Sequence, residues 1–295
     1  MNKMHFTGTI WRPPYEAQSS LLQITVGCSH HKCKFCSLYP GLKFKPSPLS
    51  EIESDLKIIQ RYAPNTRRVF LVGANPFVLS YNKLLELGFL IRKYLPKCQG
   101  IGAFARITDI KSKTVEELKN LRHLGFNGIS IGTESGDDLT LSQMNKGTNS
   151  KEMLEQCKKL EEANIEYYVS YLTGLAGKGN GERNALASAS FFNEIHPYII
   201  SVVSLTVFPE SELYTEIQRG EFQEAPEYER LKELQILISS LNNTSNFFAN
   251  TVSNPVPLSG ILPKDKTALI RELENIMKHY KESELATYRK RLPSL

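Results

Sequence analysis

The chain has 295 residues, 41% hydrophobic and 23% charged, the balance of a globular protein long enough for one large α/β body or two modest domains. Its 36 Lys and Arg against 31 Asp and Glu leave a formal charge of +5, too small and too scattered along the chain to mark a nucleic-acid partner. The longest strongly apolar run, residues 198–208, is far short of a membrane span, and the N-terminal MNKMHFTGTIWRPP lacks the apolar core of a signal peptide, so a cytoplasmic protein with no membrane partner is expected.

Apolar runs of β type alternate with amphipathic helical stretches over the first two thirds of the chain. LLQITV (21–26) reads as the first strand, and 50–63 as a helix with Ser50 and Glu53 at capping-box spacing. RVFLVGA (68–74) is a strand, 81–95 a helix, and GIGAFARI (100–107) a third strand. Residues 114–125 form a helix with Thr114 and Glu117 as its capping box and Gly125 as its stop. GISIGTE (128–134) is the fourth strand, 150–164 a helix closed by Asn164, 166–175 the fifth strand, 182–195 its helix and 198–208 the sixth strand. Six strands linked by helices imply right-handed parallel βαβ units, and strands apolar on both faces suit a buried parallel sheet. An open doubly wound sheet and a barrel both fit this rhythm.

Beyond residue 209 the rhythm changes. A helix covers about 226–242, an Asn-, Ser- and Pro-rich stretch runs to 260, and a final amphipathic helix covers 264–285. The expected organisation is a core over 1–209 with a C-terminal extension over 210–295 packed on it.

In parallel α/β folds the working end lies at the carboxyl ends of the strands. There the sequence places a cysteine loop after strand one, GANP (73–76) after strand two, and Arg106 and Asp109 after strand three. GTESGDD (132–138) follows strand four, and TGLAGKGNG (173–181) follows strand five. Loops collect glycines and polar residues in any fold. Glu134 is different, because it sits inside an otherwise apolar strand.

The chain has five cysteines, and Cys28, Cys33 and Cys36 cluster as C-x4-C-x2-C in GCSHHKCKFCSLYP. An odd number with three in one short loop reads as a metal site and not as a disulfide framework. Structural zinc would need a fourth ligand, for which His30 or His31 is at hand. A plant-type [2Fe–2S] centre has this spacing but needs a fourth cysteine, which leaves Cys98 or Cys157. A [4Fe–4S] cluster on three thiolates leaves one iron without a protein ligand, open to a small molecule that bears an amine and a carboxylate.

The segment GCSHHKCKFC, with Phe35 as the aromatic before the last cysteine, resembles the radical S-adenosylmethionine (SAM) superfamily. The usual C-x3-C-x2-C there is one residue shorter. RPPYEA, GTESGDDLTLSQMNKG, FPESELY and PLSGILPKDK are similar to a branch of bacterial iron–sulfur oxidoreductases with this longer loop. The resemblance implies a six-stranded parallel (β/α)6 partial TIM barrel with a C-terminal helical extension that closes its lateral opening. It implies a single [4Fe–4S] cluster on Cys28, Cys33 and Cys36, with SAM on the open iron. One electron from the cluster then cleaves the S–C5′ bond, and a 5′-deoxyadenosyl radical abstracts hydrogen from a substrate the sequence does not name.

Carried over residue by residue, the resemblance gives cofactor-binding roles to several positions. Lys34 and Phe35 lie beside the adenine. Gly73 admits the methionine moiety close to the backbone, and Asn75 stands where the family carries an acidic residue. Glu134 accepts from the SAM amine or ribose, and its bland reading is an ion pair with Arg106, itself counted among the cofactor-binding residues. Lys146 stands where relatives carry an arginine for the SAM carboxylate. Thr206, with Leu205 and Val207, lines the adenine. Asn250 and Asn254, in NFFANTVSNP, are substrate-side candidates, and Tyr39, Tyr168 and Tyr171 are candidate hydrogen-atom relays. The cluster also implies a reducing partner such as flavodoxin or ferredoxin. The reading from a different class is a non-catalytic Fe–S or zinc protein for interaction or electron transfer.

Overall fold

A computed structural model describes residues 3–292. In chain order the elements are β1 Ser20–Gln23, β2 Thr25–Val26, β3 Lys45–Pro46, α1 Leu49–Tyr62, β4 Arg68–Val72, α2 Tyr81–Tyr94, β5 Gly100–Ala105, α3 Ile107–Lys111, α4 Val115–His123 and β6 Phe126–Glu134. They continue with α5 Asp138–Gln143, α6 Ser150–Glu162, β7 Tyr167–Thr173, α7 Gly181–Asn193, β8 Ile199–Ser204, α8 Glu212–Gln218, α9 Glu227–Ser240, β9 Ser245–Ala249, β10 Leu258–Leu262, α10 Lys266–His279 and α11 Glu282–Lys290. The main sheet has eight strands and is mostly parallel.

Two compact units are assembled from interleaved segments. The first holds the chain up to His31, Leu38–Gly132 and Gln156–Tyr167; the second holds Lys32–Ser37, Thr133–Glu155 and the chain from Tyr168 onward.

In the first unit β1 pairs with β4, β4 with β5 and β5 with β6, all parallel. Val69, Phe70, Leu71 and Val72 of β4 are all fully buried, as a parallel strand covered on both faces requires. The expected strand 21–26 is broken at Ile24. Its N–H bonds to Val72 O at 3.2 Å and its carbonyl accepts from Ser47 N at 2.8 Å. Past that point β2 leaves the main sheet and pairs antiparallel with β3, Val26 opposite Lys45. The break matters because the cysteine loop begins directly after β2. The Thr114–Glu117 capping box forms, with N···O distances of 3.2 and 2.7 Å. The box expected at Ser50 does not form. The helix starts at Leu49 behind Pro48, so Ser50 lies inside the first turn, past the position from which a hydroxyl caps.

In the second unit β7 pairs with β8 and β8 with β9 in parallel, and β10 returns antiparallel to β9. The sheet therefore departs from the expected six-stranded partial barrel: β9 and β10 extend it from the stretch whose Asn, Ser and Pro content suggested a loop. The signal present there was short. Ser245, Phe247 and Ala249 are buried, while Asn246 and Phe248 between them are only partly so, a period of two. The single C-terminal helix expected over 264–285 is two, α10 and α11, with a break at Tyr280. Among the described residues no helix is long and apolar enough to cross a membrane.

Candidate functional site

Within the first unit, the carboxyl end of β4 carries Gly73 at φ +127°, a conformation that side chains with a Cβ rarely adopt. A Cβ there would lie 2.2 Å from Thr25 Oγ1 and 2.5 Å from Thr25 O. What needs the glycine is thus the approach of β2, a demand made by the chain's own backbone. Thr25 Oγ1 is buried there without a hydrogen-bond partner.

Asn75 is buried and points at the start of the cysteine loop. Its Nδ2 donates to Ser29 Oγ at 2.7 Å and to Asp109 Oδ2 at 3.0 Å, and its Oδ1 accepts from Ser29 N at 3.1 Å. A primary amide has two N–H donors and two lone pairs. Both donors are committed, and the side chain fixes the residue that follows Cys28. Asp109 Oδ2 also accepts from Arg106 N at 2.8 Å; burial pushes the Asp109 carboxyl up from its ordinary pKa in spite of these bonds. Arg106 follows β5 as the N-cap of α3, and its Nη1 donates to Thr108 Oγ1 at 3.2 Å. His31 takes φ +50°, a left-handed residue in the stretch that makes the spacing C-x4-C.

Within the second unit, Lys32–Ser37 is held by its backbone. Lys34 N donates to Met144 O at 3.2 Å, Lys34 O accepts from Leu213 N at 2.8 Å, and Cys36 N donates to Cys33 O at 3.1 Å. The Lys34 ammonium pairs with Glu216 of α8, and that hydrogen bond raises its pKa. This pair ties the loop to α8. Phe35 packs on an apolar cluster of Met144, Leu172, Leu175, Leu205 and Leu213.

Glu134 and Lys146, reached by separate arguments from the sequence, are partners. Lys146 Nζ lies 3.1 Å from Glu134 Oε1, and Glu134 Oε2 accepts from Ser170 Oγ at 2.9 Å. The two side chains are 14% and 8% exposed, Glu134 and Lys146 respectively. The Lys146 ammonium also stands 6.0 Å from the centre of the Phe35 ring, within cation–π range. Glu134 has φ +66°. For a residue with a side chain this costs on the order of 1–2 kcal/mol, and β6 ends on it.

Thr206 is buried, and its hydroxyl faces Arg289 Nη1 at 3.0 Å. Arg289, on α11, also donates to Leu205 O at 3.1 Å, Ser253 O at 3.2 Å and Ser204 Oγ at 2.8 Å, and pairs with both oxygens of Glu227. No sequence signal marks this arginine, which lies on an ordinary amphipathic helix 83 residues past Thr206. The turn after β7 is held similarly. Gly174 N, Tyr171 Oη and Asn184 Nδ2 donate to the Glu233 carboxylate at 2.7, 2.6 and 2.7 Å, and burial pushes Glu233 up to about 7. Tyr171, a candidate hydrogen-atom relay, is thus committed in the core. Asn254 is buried and binds Val202 O at 2.9 Å and Thr251 Oγ1 at 3.0 Å, while Asn250 is exposed.

All five cysteines are thiols, and an all-thiolate donor set suits an iron–sulfur cluster. In the second unit, a cation, a carboxylate and a hydroxyl stand beside an aromatic ring on an apolar floor. That combination matches the carboxylate, ammonium and apolar parts of an amino-acid-bearing ligand such as SAM. The residue types present suit both groups, although among the described residues no three Cys, His, Asp or Glu side chains are gathered closely enough to hold a metal ion.

Comparison with known proteins gives a consistent picture. A family model described as the radical SAM superfamily matches residues 22–189. The chain is 22% identical over 219 residues to the heme chaperone HemW of Bacillus subtilis, covering 72% of this chain and 57% of that protein. It spans about half the length of the HemW proteins it matches. Among solved structures, the radical SAM methyltransferase TsrM from Kitasatospora setae, solved with cobalamin and a [4Fe–4S] cluster, superposes with a TM-score of 0.57 at 16% identity over 68% of this chain and 39% of that one. Coproporphyrinogen III oxidase (HemN) from Escherichia coli gives 0.55 at 16% identity over 75% and 51%. Likeness at this identity is likeness of fold.

Proposed function

The chain belongs to the radical SAM superfamily, whose cofactors are a [4Fe–4S] cluster and SAM, and on that premise we propose that it is a SAM-cleaving enzyme with a single cluster on Cys28, Cys33 and Cys36. The observation that carries the reading is the Glu134–Lys146 pair beside Phe35, in the same compact unit as the Cys33–Cys36 segment. When bound, the reduced cluster supplies the electron that cleaves SAM, and hydrogen abstraction from the substrate yields 5′-deoxyadenosine.

The chain's own residues bind and orient. Lys146 is a point charge for the SAM carboxylate, and Glu134 accepts from its ammonium. Each satisfies the other until the ligand's opposite charges replace that contact. Phe35 and the apolar cluster under it exclude water, which strengthens both charge contacts. In the first unit Asn75 holds Ser29, next to Cys28, and in the second Lys34, next to Cys33, is tied to Glu216. Arg289 and Glu233 hold the ends of β8 and β7. Among the expected ligand contacts, Thr206 and Gly73 then act through packing.

The test is anaerobic reconstitution, reduction and addition of SAM, with 5′-deoxyadenosine as the expected product. A fully loaded, reduced cluster that forms none refutes the reading. The similarity to HemW, described as a heme chaperone, favours a second reading, a cluster protein that hands on a tetrapyrrole without turning SAM over. Heme binding with no 5′-deoxyadenosine supports that one.

A further inference from the structure

From Ala17 through Ser50 the chain has no Asp or Glu, yet this stretch carries Lys32, Lys34, Lys43, Lys45, His30 and His31. Lys34 is paired with Glu216. Lys43 and Lys45 are exposed and flank the start of β3, two residues apart. Neither enters an ion pair among the described residues. The ribbon they stand on is tied to the start of the cysteine loop. Lys45 is opposite Val26 in the β2–β3 ladder. A Cβ on Gly27 would lie 2.7 Å from Leu42 O and 3.0 Å from the Lys43 carbonyl carbon. The Lys43 backbone therefore rests on the residue that precedes Cys28.

Unpaired surface cations, with no acid within the same stretch of chain, raise the local potential and draw an anionic partner to that place. They contribute little to the stability of the fold itself. A chain that holds its cluster on Cys28, Cys33 and Cys36 must receive electrons one at a time from outside, and a carrier has to dock close to that loop. We propose that the β2–β3 ribbon, through Lys43 and Lys45, is the docking surface for an acidic protein electron carrier. The inference rests on the cluster reading above. In the encounter the reduced carrier, a flavoprotein or an iron–sulfur protein, is oxidised by one electron and the cluster is reduced by one; no bond forms or breaks. Nucleic acid is the other polyanion to weigh. A strand would call for a longer basic track with aromatic platforms, and the ribbon offers two lysines.

The test compares the full reconstituted chain with Lys43→Glu/Lys45→Glu and with the milder Lys43→Gln/Lys45→Gln. Iron content and reduction by dithionite, read by electron paramagnetic resonance, are expected to match wild type in both. The rate of cluster reduction by reduced flavodoxin at low salt falls at least tenfold in the Glu variant and by less in the Gln variant. Added salt slows the wild type and leaves the Glu variant nearly flat. Equal flavodoxin rates in the three proteins at low salt overturn the proposal. So does a selective loss of oligonucleotide binding in the Glu variant with the flavodoxin rate unchanged. A wild-type chain that takes up no iron, or whose cluster dithionite does not reduce, refutes the cluster reading and the docking surface with it. A chain that dithionite reduces but flavodoxin and ferredoxin do not refutes the docking surface alone.

Discussion

Replacing Lys146 with Met separates a ligand-binding charge pair from an internal bridge. The Lys146–Glu134 contact is 3.1 Å long between side chains only 8% and 14% exposed, so removing one partner strands the other in a nearly dry place. Stranding a fully buried charge costs about 3–5 kcal/mol. Glu134 keeps the Ser170 hydroxyl at 2.9 Å, which puts Lys146→Met near the lower end, about 3 kcal/mol. Glu134→Gln leaves the ammonium over the Phe35 ring, a contact worth about 1 kcal/mol, for a net loss of about 2–3 kcal/mol. The double variant strands no charge and loses less than the sum, with a coupling of about 1–3 kcal/mol. These values are read from denaturant unfolding of the cluster-free proteins.

For the ligand the arithmetic differs. Each single variant gives up one charge-assisted contact to SAM, worth about 1.5–3 kcal/mol, or a weakening of roughly 10- to 150-fold. The double variant gives up both and does not recover. Calorimetric titration of SAM into anaerobically reconstituted protein reads this directly. Double-variant affinity within twofold of wild type, with the stability coupling intact, would show that the pair only bridges β6 to the turn after α5, and the ligand role would be refuted.

Cys33→Ala is expected to abolish iron uptake, while Cys98→Ala and Cys157→Ala retain it. Cys157 is fully buried and burial pushes its thiol well up, and Cys98 is raised for the same reason; iron loss in Cys157→Ala without unfolding would revive a four-cysteine centre. His31→Gly is expected to keep the full iron complement and to be as stable as wild type or more so, because glycine adopts φ +50° without strain. Iron loss there would make His31 a ligand and close the open iron. Glu233, raised from 4.5 to about 7, gives the fold a pH dependence of known sign. Below about pH 4.5 both folded and unfolded chains hold the proton; between about 4.5 and 7 only the unfolded chain releases it, so stability falls as pH rises, by roughly 3 kcal/mol in all. Glu233→Gln should remove that slope in pH-dependent denaturation, and an unchanged slope would show that Glu233 is not its source.

Much of this was legible in the sequence because periodicity is a local signal. The alternation from β4 through β8 stands, with boundaries moved by one to four residues, and the Thr114 capping box could be read from two letters. What was not legible depends on partners far along the chain. β9 and β10 lie in a segment whose composition says loop, and only pairing with β8 makes them strands. Ile24 still donates to Val72 of β4, but its carbonyl goes to Ser47 and β2 turns to pair with β3, which no pattern within 21–26 encodes. The site divides the same way. Glu134 stood out as a carboxylate in an apolar strand, but its partner is twelve residues away, past α5. Arg289 gave no signal, since its importance comes from the carbonyls it meets.

The positions carried over by resemblance separate into two kinds once their contacts are known. Gly73 is filled against Thr25, the Asn75 donors are spent on Ser29 and Asp109, Lys34 is spent on Glu216, and the Thr206 hydroxyl faces Arg289. Without a ligand, these side chains are engaged with the loop and the strand ends. Glu134, Lys146 and Phe35 satisfy one another, and two of the three bring opposite charges to one place. A ligand that is itself both anion and cation can replace that mutual contact without leaving either charge buried and unpaired. A singly charged ligand cannot, because it would strand one of the two at the cost worked out above. On the proposed reading the pair selects for zwitterions, and the left-handed φ of +66° at Glu134 places backbone strain at that same strand end.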